Sequence, residues 1–287
     1  MASIEILQPT SLDEAVSLLV KHSEEAKIVA GGTALVIMLR NHLISPSMLL
    51  SLGRLGDLRH IRHESGTGLR IGALVTLREA EQSPLVREKN PTLAYTFSKV
   101  GNVRVRNAAT VGGNISEADY ASDPPCVLVA MRARVRACSV RGEREVAVGS
   151  FFRGFYETCL EPDEILTEVI IPDLAPGSSA AYVKYVSRSS EDRPCAGAAA
   201  VVEQNPDGTC KELRVVLGAV SEIPQEIESA EAMARGQRLT GELVDEIATA
   251  YSAAISPLSD LRGSDWYRKQ IIRILTRRAI QQAMSGN

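Results

Sequence analysis

Two glycine pairs mark places where a backbone can come close to a ligand. They are Gly31–Gly32 in Ile28–Leu35, IVAGGTAL, and Gly112–Gly113 in Arg104–Asp123, RVRNAATVGGNISEADYASD. Each pair is followed at once by a small polar residue, Thr33 or Asn114, and has β-branched residues just upstream. Adjacent glycines put no Cβ between backbone and ligand, and consecutive N–H groups facing one way cradle phosphate oxygens. Two such turns closing from opposite sides suit a single diphosphate. Neither fits the G-x-G-x-x-G of a dinucleotide fold. Glycine pairs also serve hairpin turns and bulges in proteins that bind nothing, so the spacing alone leaves both readings open.

The other reactive side chains form no set. Cys126, Cys138, Cys159, Cys195 and Cys210 include no C-x-x-C and have mostly apolar neighbours, the pattern of buried reduced thiols. An iron–sulfur cluster held by this chain would need correctly spaced thiolates, and none is visible. His22, His42, His60 and His63 lack an H-E-x-x-H or a companion carboxylate set, so no metal is expected. No nucleophile–base grouping and no paired-carboxylate motif supplies a catalytic residue. With 32 basic against 35 acidic side chains there is no nucleic-acid footprint. Charges at Glu5, Asp13, Glu14 and Lys21 interrupt any leader-like run, and no apolar stretch is long enough to span a bilayer, so no membrane span and a cytoplasmic location are expected.

The elements that must position the glycine segments can be read in order. Ile4–Leu7 is a short strand, Ser11 with Glu14 opens a helix to about Lys21, and Lys27–Ala30 is a strand that delivers the chain into Gly31. Ala34–Asn41, ALVIMLRN, is apolar enough to pack as a helix against a sheet, and Met48–Ser51 is a further strand. A hairpin follows over 58–71, then a helix capped by Thr76 with Glu79, and helices broken at Pro84 and restarted at Pro91. After the TVGGN turn, Pro124–Pro125 favours a helix over Cys126–Met131. Arg132–Ser139 and Glu143–Val148 pair as strands, Ser150 caps a helix over Phe151–Tyr156, and Glu164–Pro172 is a strand. Ala180–Val186, Cys195–Gln204 and Cys210–Val220 are strands followed by helices Glu226–Ala234, Leu243–Ile255 and Tyr267–Met284. The fold class is α+β: a small α/β subdomain over 1–57, a larger α+β subdomain over 58–176, and over 177–287 an antiparallel sheet with helices on one face.

Ala30–Leu35, AGGTAL, and Arg106–Asp123, RNAATVGGNISEADYASD, resemble the two FAD-binding signatures of the flavin subunit of molybdenum hydroxylases. That family includes the carbon monoxide dehydrogenase medium subunit and the xanthine dehydrogenase flavin domain. Ile255–Ala283 is similar to its closing D-x-R-G-S-x-x-Y-R segment and the helix after it, so the resemblance covers nearly all 287 residues. It implies FAD, with Ala30, Gly31, Gly32 and Thr33 around the diphosphate, Val29 and Leu35 near the adenine-ribose portion, and Ala34 within the same segment. Thr110, Gly112, Gly113 and Asn114 would form the second wall, flanked by Ala109 and Ser116. Asp123 would contact the cofactor's ribityl or diphosphate side, although an aspartate before Pro124–Pro125 is equally at home as a helix cap. Leu166 and Lys184 match positions near the isoalloxazine, whereas Lys184 read from its own strand is a solvent-facing residue. Glu191–Asp192 matches a loop that tunes access to the flavin. Tyr120 stands where the family usually has proline, and its phenol would either meet the flavin edge or fill space.

The resemblance further implies an electron-transfer subunit of a heterotrimer that pairs into a dimer of heterotrimers. Its partners would be an iron–sulfur subunit with two 2Fe–2S clusters and a large molybdopterin-binding subunit, and it would pass electrons to an external acceptor. Two other functions compete. One is a stand-alone flavin-dependent NAD(P)H oxidoreductase, and the other is a flavin-free structural subunit. Intact glycine pairs speak against the second if packing alone does not need both backbones bare.

Overall fold

A computed structural model describes residues 4–22 and 25–286. Three short strands, β1 (Glu5–Leu7), β2 (Ala26–Val29) and β3 (Met48–Ser51), form a parallel sheet in the order β1-β3-β2. The crossovers are α1 (Leu12–His22) and α2 (Leu35–Arg40). Ala15, Val16 and Leu19 of α1 supply the helical side of this core, against Leu50 and Leu52. α2 buries no residue and leaves Val36 49% and Ile37 58% exposed. The expected packing of this apolar helix on the sheet is therefore not realised.

The second unit begins with a hairpin, β4 (Ile61–Glu64) and β5 (Gly68–Gly72), and continues through five short helices. These are α3 (Leu77–Gln82), α4 (Pro84–Lys89), α5 (Pro91–Ser98), α6 (Val103–Ala108) and α7 (Val111–Ser116). Their punctuation follows side-chain chemistry: Thr76 and Glu79 make a reciprocal capping box, and Ser83 and Asn90 cap helices that open on proline. The fully buried α8 (Asp123–Ala130) leads to β6 (Arg134–Ser139) and β7 (Gly142–Ala147). Residues 151–156, expected as a helix, instead feed a ribbon of β8 (Phe152–Gly154) and β9 (Glu157–Thr158). Phe151 and Phe152 are both buried edge to face at 5.4 Å, and Tyr156 turns the chain with φ 57°. β10 (Ile165–Ile171), buried at all seven residues, is the middle of an antiparallel sheet ordered β4-β5-β10-β6-β7. On that sheet Glu168 is enclosed by Arg70 (Nε 2.9 Å) and His60 (Nε2 2.8 Å), so its charge is matched where burial would otherwise disfavour it.

The last unit is an antiparallel sheet of β11 (Ser178–Tyr185), β12 (Ala196–Gln204), β13 (Cys210–Gly218) and β14 (Gln225–Glu226), followed by α9 (Glu228–Ala232), α10 (Gly241–Ala254) and α11 (Asp265–Ser285). Alternation divides β12 between two cores: Ala198, Ala200 and Val202 meet α10 and α11, while Ala199 and Val201 join the core that contains α8. The sheet's own helices thus lie on one face, and α8 of the preceding unit takes the other. Arg268 of α11 has no exposed surface and donates to the carbonyls of Cys195, Leu258 and Gly263 and to Asp260 Oδ1 at 2.7 Å. These bonds fix the loop of the D-x-R-G-S segment to the sheet.

Candidate functional site

The first glycine segment links β2 to α2. Gly32 adopts φ +70°, the left-handed region that favours glycine, and its carbonyl accepts from Val36 N at 3.0 Å. Among the described residues, the N–H groups of Ala30, Gly31, Gly32, Thr33 and Ala34 donate to no protein acceptor. The helix cap is Ala34, with no side-chain cap bond, so Thr33 does not serve as one. Val29, Ala34 and Leu35 are half-buried around this run of free donors.

The second segment is built differently from the expected turn. Thr110 caps α7, its Oγ1 accepting from Gly113 N at 3.1 Å, and Asn114 N reaches Thr110 O at 2.9 Å. Val111 N donates to Val75 O at 2.8 Å and Gly112 N to Ala73 O at 2.9 Å. TVGGN is therefore the satisfied first turn of a helix, held in that shape by a cap and by contact with residues 73–75 despite the low helix propensity of glycine. Gly112 is bare because a methyl there would stand 2.5 Å from Ala73 Cβ. Ala109 and Thr110 are buried beside it, and the Ala109 carbonyl accepts from Leu77 N at 2.8 Å.

The two segments touch. A methyl on Gly31 would lie 2.7 Å from the Ala108 carbonyl carbon and 3.1 Å from Ala109 Cα, and one on Gly113 would meet Ala30 Cβ at 4.0 Å. Packing thus does require bare backbone at Gly31 and Gly112, which removes those two glycines as an argument against a flavin-free subunit. The run of free donors from the first segment is left without protein partners, and Gly113, Asn114 and Ser116 of the second are none of them fully buried. The Asn114 side chain accepts from Ser122 Oγ at 3.0 Å, tying the loop that leads to Asp123.

Asp123 is the first residue of α8, behind the cap position at Ser122, and does not cap it. Its Oδ1 accepts from the Tyr182 hydroxyl at 2.6 Å and its Oδ2 from Lys184 Nζ at 3.0 Å. Lys184 also donates to Lys99 O at 2.8 Å, and its side chain is 6% exposed, so the solvent-facing alternative fails. Burial pushes the Asp123 carboxyl above the usual aspartate range, while the Lys184 charge and the Tyr182 bond pull the other way. An ammonium has three donors, and two of those on Lys184 are used within the protein. Tyr182, which sequence reasoning missed, was signalled by alternation in AYVKY, where it shares a strand face with Lys184.

Leu166 lies in the buried core, paired with Ala137 across the β10–β6 ladder. Tyr120 is committed within the protein: its hydroxyl donates to Asp260 Oδ2 at 2.8 Å and receives Arg262 at 2.5 Å, and its ring stands edge-on to Phe155 at 5.1 Å. It therefore clasps the loop before Asp123 to the D-x-R-G loop. In the Glu191–Asp192 loop, Asp192 is paired with Arg188 at 3.5 Å. A groove of about 530 Å³ lined by Arg132, Glu212, Glu226, Glu231 and Arg235 shares no residue with this site.

Two family models match the chain: "FAD binding domain in molybdopterin dehydrogenase" over residues 2–174 and "CO dehydrogenase flavoprotein C-terminal domain" over residues 181–283. The glyceraldehyde dehydrogenase medium chain of Sulfolobus acidocaldarius is 32% identical over 272 residues, 95% of each chain. The carbon monoxide dehydrogenase medium chain of Hydrogenophaga pseudoflava is 32% identical over 275 residues, 96% of this chain and 95% of that one. A solved structure of the latter organism's carbon monoxide dehydrogenase, lacking the Mo-pyranopterin moiety, superposes with a TM-score of 0.94 at 33% identity, covering 98% of this chain and 97% of the other.

Proposed function

The chain belongs to the family of FAD-binding medium subunits of molybdenum hydroxylases, and from that premise we propose that it is the electron-transfer subunit of a heterotrimer. It is an FAD protein and part of an oxidoreductase complex. In the proposed complex an iron–sulfur subunit delivers electrons from a large molybdopterin-binding subunit, and an external acceptor removes them from this one.

The residues present fit the cofactor. The single observation that carries the assignment is the run of five unpartnered N–H groups at Ala30–Ala34, on a segment that packs against Ala108–Ala109 and reaches Gly113. Those donors suit diphosphate oxygens, and Gly113, kept free of a Cβ by the Thr110 cap hydroxyl, presents no side chain beside them. Asn114 and Ser116 line the same wall. Lys184 brings a buried positive charge with a donor to spare, anchored by Asp123, and so favours negative charge on whatever lies beside it. When bound, FAD supplies a carrier that accepts electrons singly and releases them in pairs. The site includes no nucleophile or general base of its own, which supports turnover of the organic substrate on another chain.

The test is purification of the untagged complex from its native cell. Acid precipitation should release about one FAD per chain if both segments serve a single cofactor, and native mass measurement should find two companion chains. Release of FMN, or of no flavin, would overturn the cofactor site. Recovery of the lone chain turning over NAD(P)H would replace the heterotrimer with the stand-alone reading.

A further inference from the structure

Tyr182 and Lys184 stand two residues apart on β11, so both side chains leave the strand on the same face, towards α8. Between them they occupy both oxygens of Asp123. We propose that Tyr182 is a positioning residue of the flavin site: its hydroxyl keeps the Asp123 carboxylate ionised and fixed, and the carboxylate in turn anchors the Lys184 ammonium. The inference rests on the flavin reading above and adds a residue to it.

Three observations carry it. First, Asp123 and Tyr182 are each 3% exposed, so water does not stabilise the carboxylate and the protein must. Second, the bonds are divided, with Oδ1 taken by the phenol and Oδ2 by the ammonium, so neither partner substitutes for the other. Third, the neighbouring strand leaves room for the hydroxyl. Gly197, opposite Lys184 in the β11–β12 ladder, would place a methyl 2.6 Å from the Tyr182 oxygen, although its own backbone lies outside the left-handed region. Conformational freedom therefore does not account for glycine at 197, whereas space for the hydroxyl does. The same methyl would also press on ring atoms Cε2 and Cζ at 3.2 Å, so the ring shares the gap, and the oxygen is the part that needs the partner.

The ionisable groups around Asp123 come from every element packed on it. Tyr182 and Lys184 lie on β11, Cys126 on α8 itself, and Asp119 in the preceding loop, where Arg193 pairs with it at 2.8 Å. From α5, Tyr95 faces Tyr182, and the Lys99 ammonium lies over the Tyr95 ring at 4.4 Å while its carbonyl accepts from Lys184. β12 and β13 contribute Gly197, Ala199, Val216 and Gly218, none of which titrates.

Removing a donor from the charged form of a carboxyl raises its pKa. In the FAD-loaded complex, the flavin absorption band and midpoint potential should therefore show an acid transition that moves up in Tyr182→Phe. The expected move is about one to two pH units, a tenfold to hundredfold gain in proton affinity. Asp123→Asn should abolish the transition. Should that variant fail to fold, Gly197→Ala carries the same measurement, because its methyl displaces the hydroxyl while the phenol is kept. A flavin-loaded variant with the parental transition and potential overturns this inference and leaves the flavin reading standing. A parent complex without FAD overturns both.

Discussion

Gly31→Ala tests the contact that closes the two segments into one site. The added methyl would lie 2.7 Å from the Ala108 carbonyl carbon and 3.1 Å from Ala109 Cα. Carbon atoms settle at about 3.5–4.0 Å, so the two strands of chain must part by about 1 Å. The Ala108 carbonyl oxygen stands closer still, all three obstructing atoms are backbone, and no side-chain rotation relieves them. Overpacking of this kind costs about 1–3 kcal/mol. Since about 1.4 kcal/mol is a factor of ten, FAD affinity should fall about tenfold or more as the free donors move off Gly113. Gly32→Ala calibrates the result. Its methyl would meet only the methyls of Val36 at 3.3 Å and Val29 at 3.8 Å, but φ +70° imposes about 1–2 kcal/mol of backbone strain. It should lose stability without separating the walls, and its FAD affinity should fall less than that of Gly31→Ala. The assay is flavin-fluorescence titration of apoprotein, with urea unfolding followed by circular dichroism on the same samples. Parental FAD affinity and a parental urea midpoint in Gly31→Ala would refute the contact and the shared site built on it.

Lys184→Met and Asp123→Asn should each cost about 3–5 kcal/mol in urea unfolding, because each leaves a buried partner unmatched, and the double variant should cost clearly less than their sum. Additivity within about 0.5 kcal/mol would show that the pair is not coupled. Lys184→Met should also lower the flavin midpoint potential in whatever fraction retains FAD. Tyr120→Phe should cost about 1–3 kcal/mol by thermal unfolding, the worth of hydrogen bonds to charged groups, while FAD content stays near one per chain; a parental melting temperature would deny the clasp any energetic role. The Arg144 hydrogen bond holds the Glu164 carboxyl below the ordinary glutamate range. With its folded pKa depressed, this group stabilises the fold above the unfolded value of about 4.3 and loses that contribution as pH falls through the folded one. The gap between parent and Glu164→Gln in urea midpoint should therefore be wide at neutral pH and narrow in acid, and a gap independent of pH would contradict the pairing.

Much of the frame was legible because its signals are local. Met48–Ser51 is a strand as read, Thr76 with Glu79 forms the capping box, and Pro91 opens a helix, whereas Pro84, read as a break, opens one of its own after the first helix has ended. The failures share a cause, which is that the deciding contact lies far along the chain. TVGGN looks like a turn, yet Ala73 and Val75 hold it in a helix. Asp123 looks like a cap, yet residues 182 and 184 claim both of its oxygens. At the site, the residues themselves pointed to the glycine segments, and only the family resemblance pointed to Lys184. The sequence offered no means of seeing that Gly31 and Gly112 are bare for packing, or that Gly113 stands against the Thr110 cap hydroxyl.

The burial of α8 bears on how the protein can be divided by those who would re-use it. The two matched family regions meet near residue 180, and a cut there looks natural for moving a flavin module onto a new redox partner. α8 belongs to the first region but lies against β12 and β13 of the second, all eight of its residues buried, and Asp123 loses both of its partners if residues 182 and 184 are removed. The upstream fragment would carry both glycine segments into solution beside an unpaired carboxylate and an uncovered apolar helix. Such a surface favours aggregation over cofactor capture. For domain grafting or gene fusion the transferable unit is the whole chain, and a designer who wants only its flavin must carry the C-terminal sheet along.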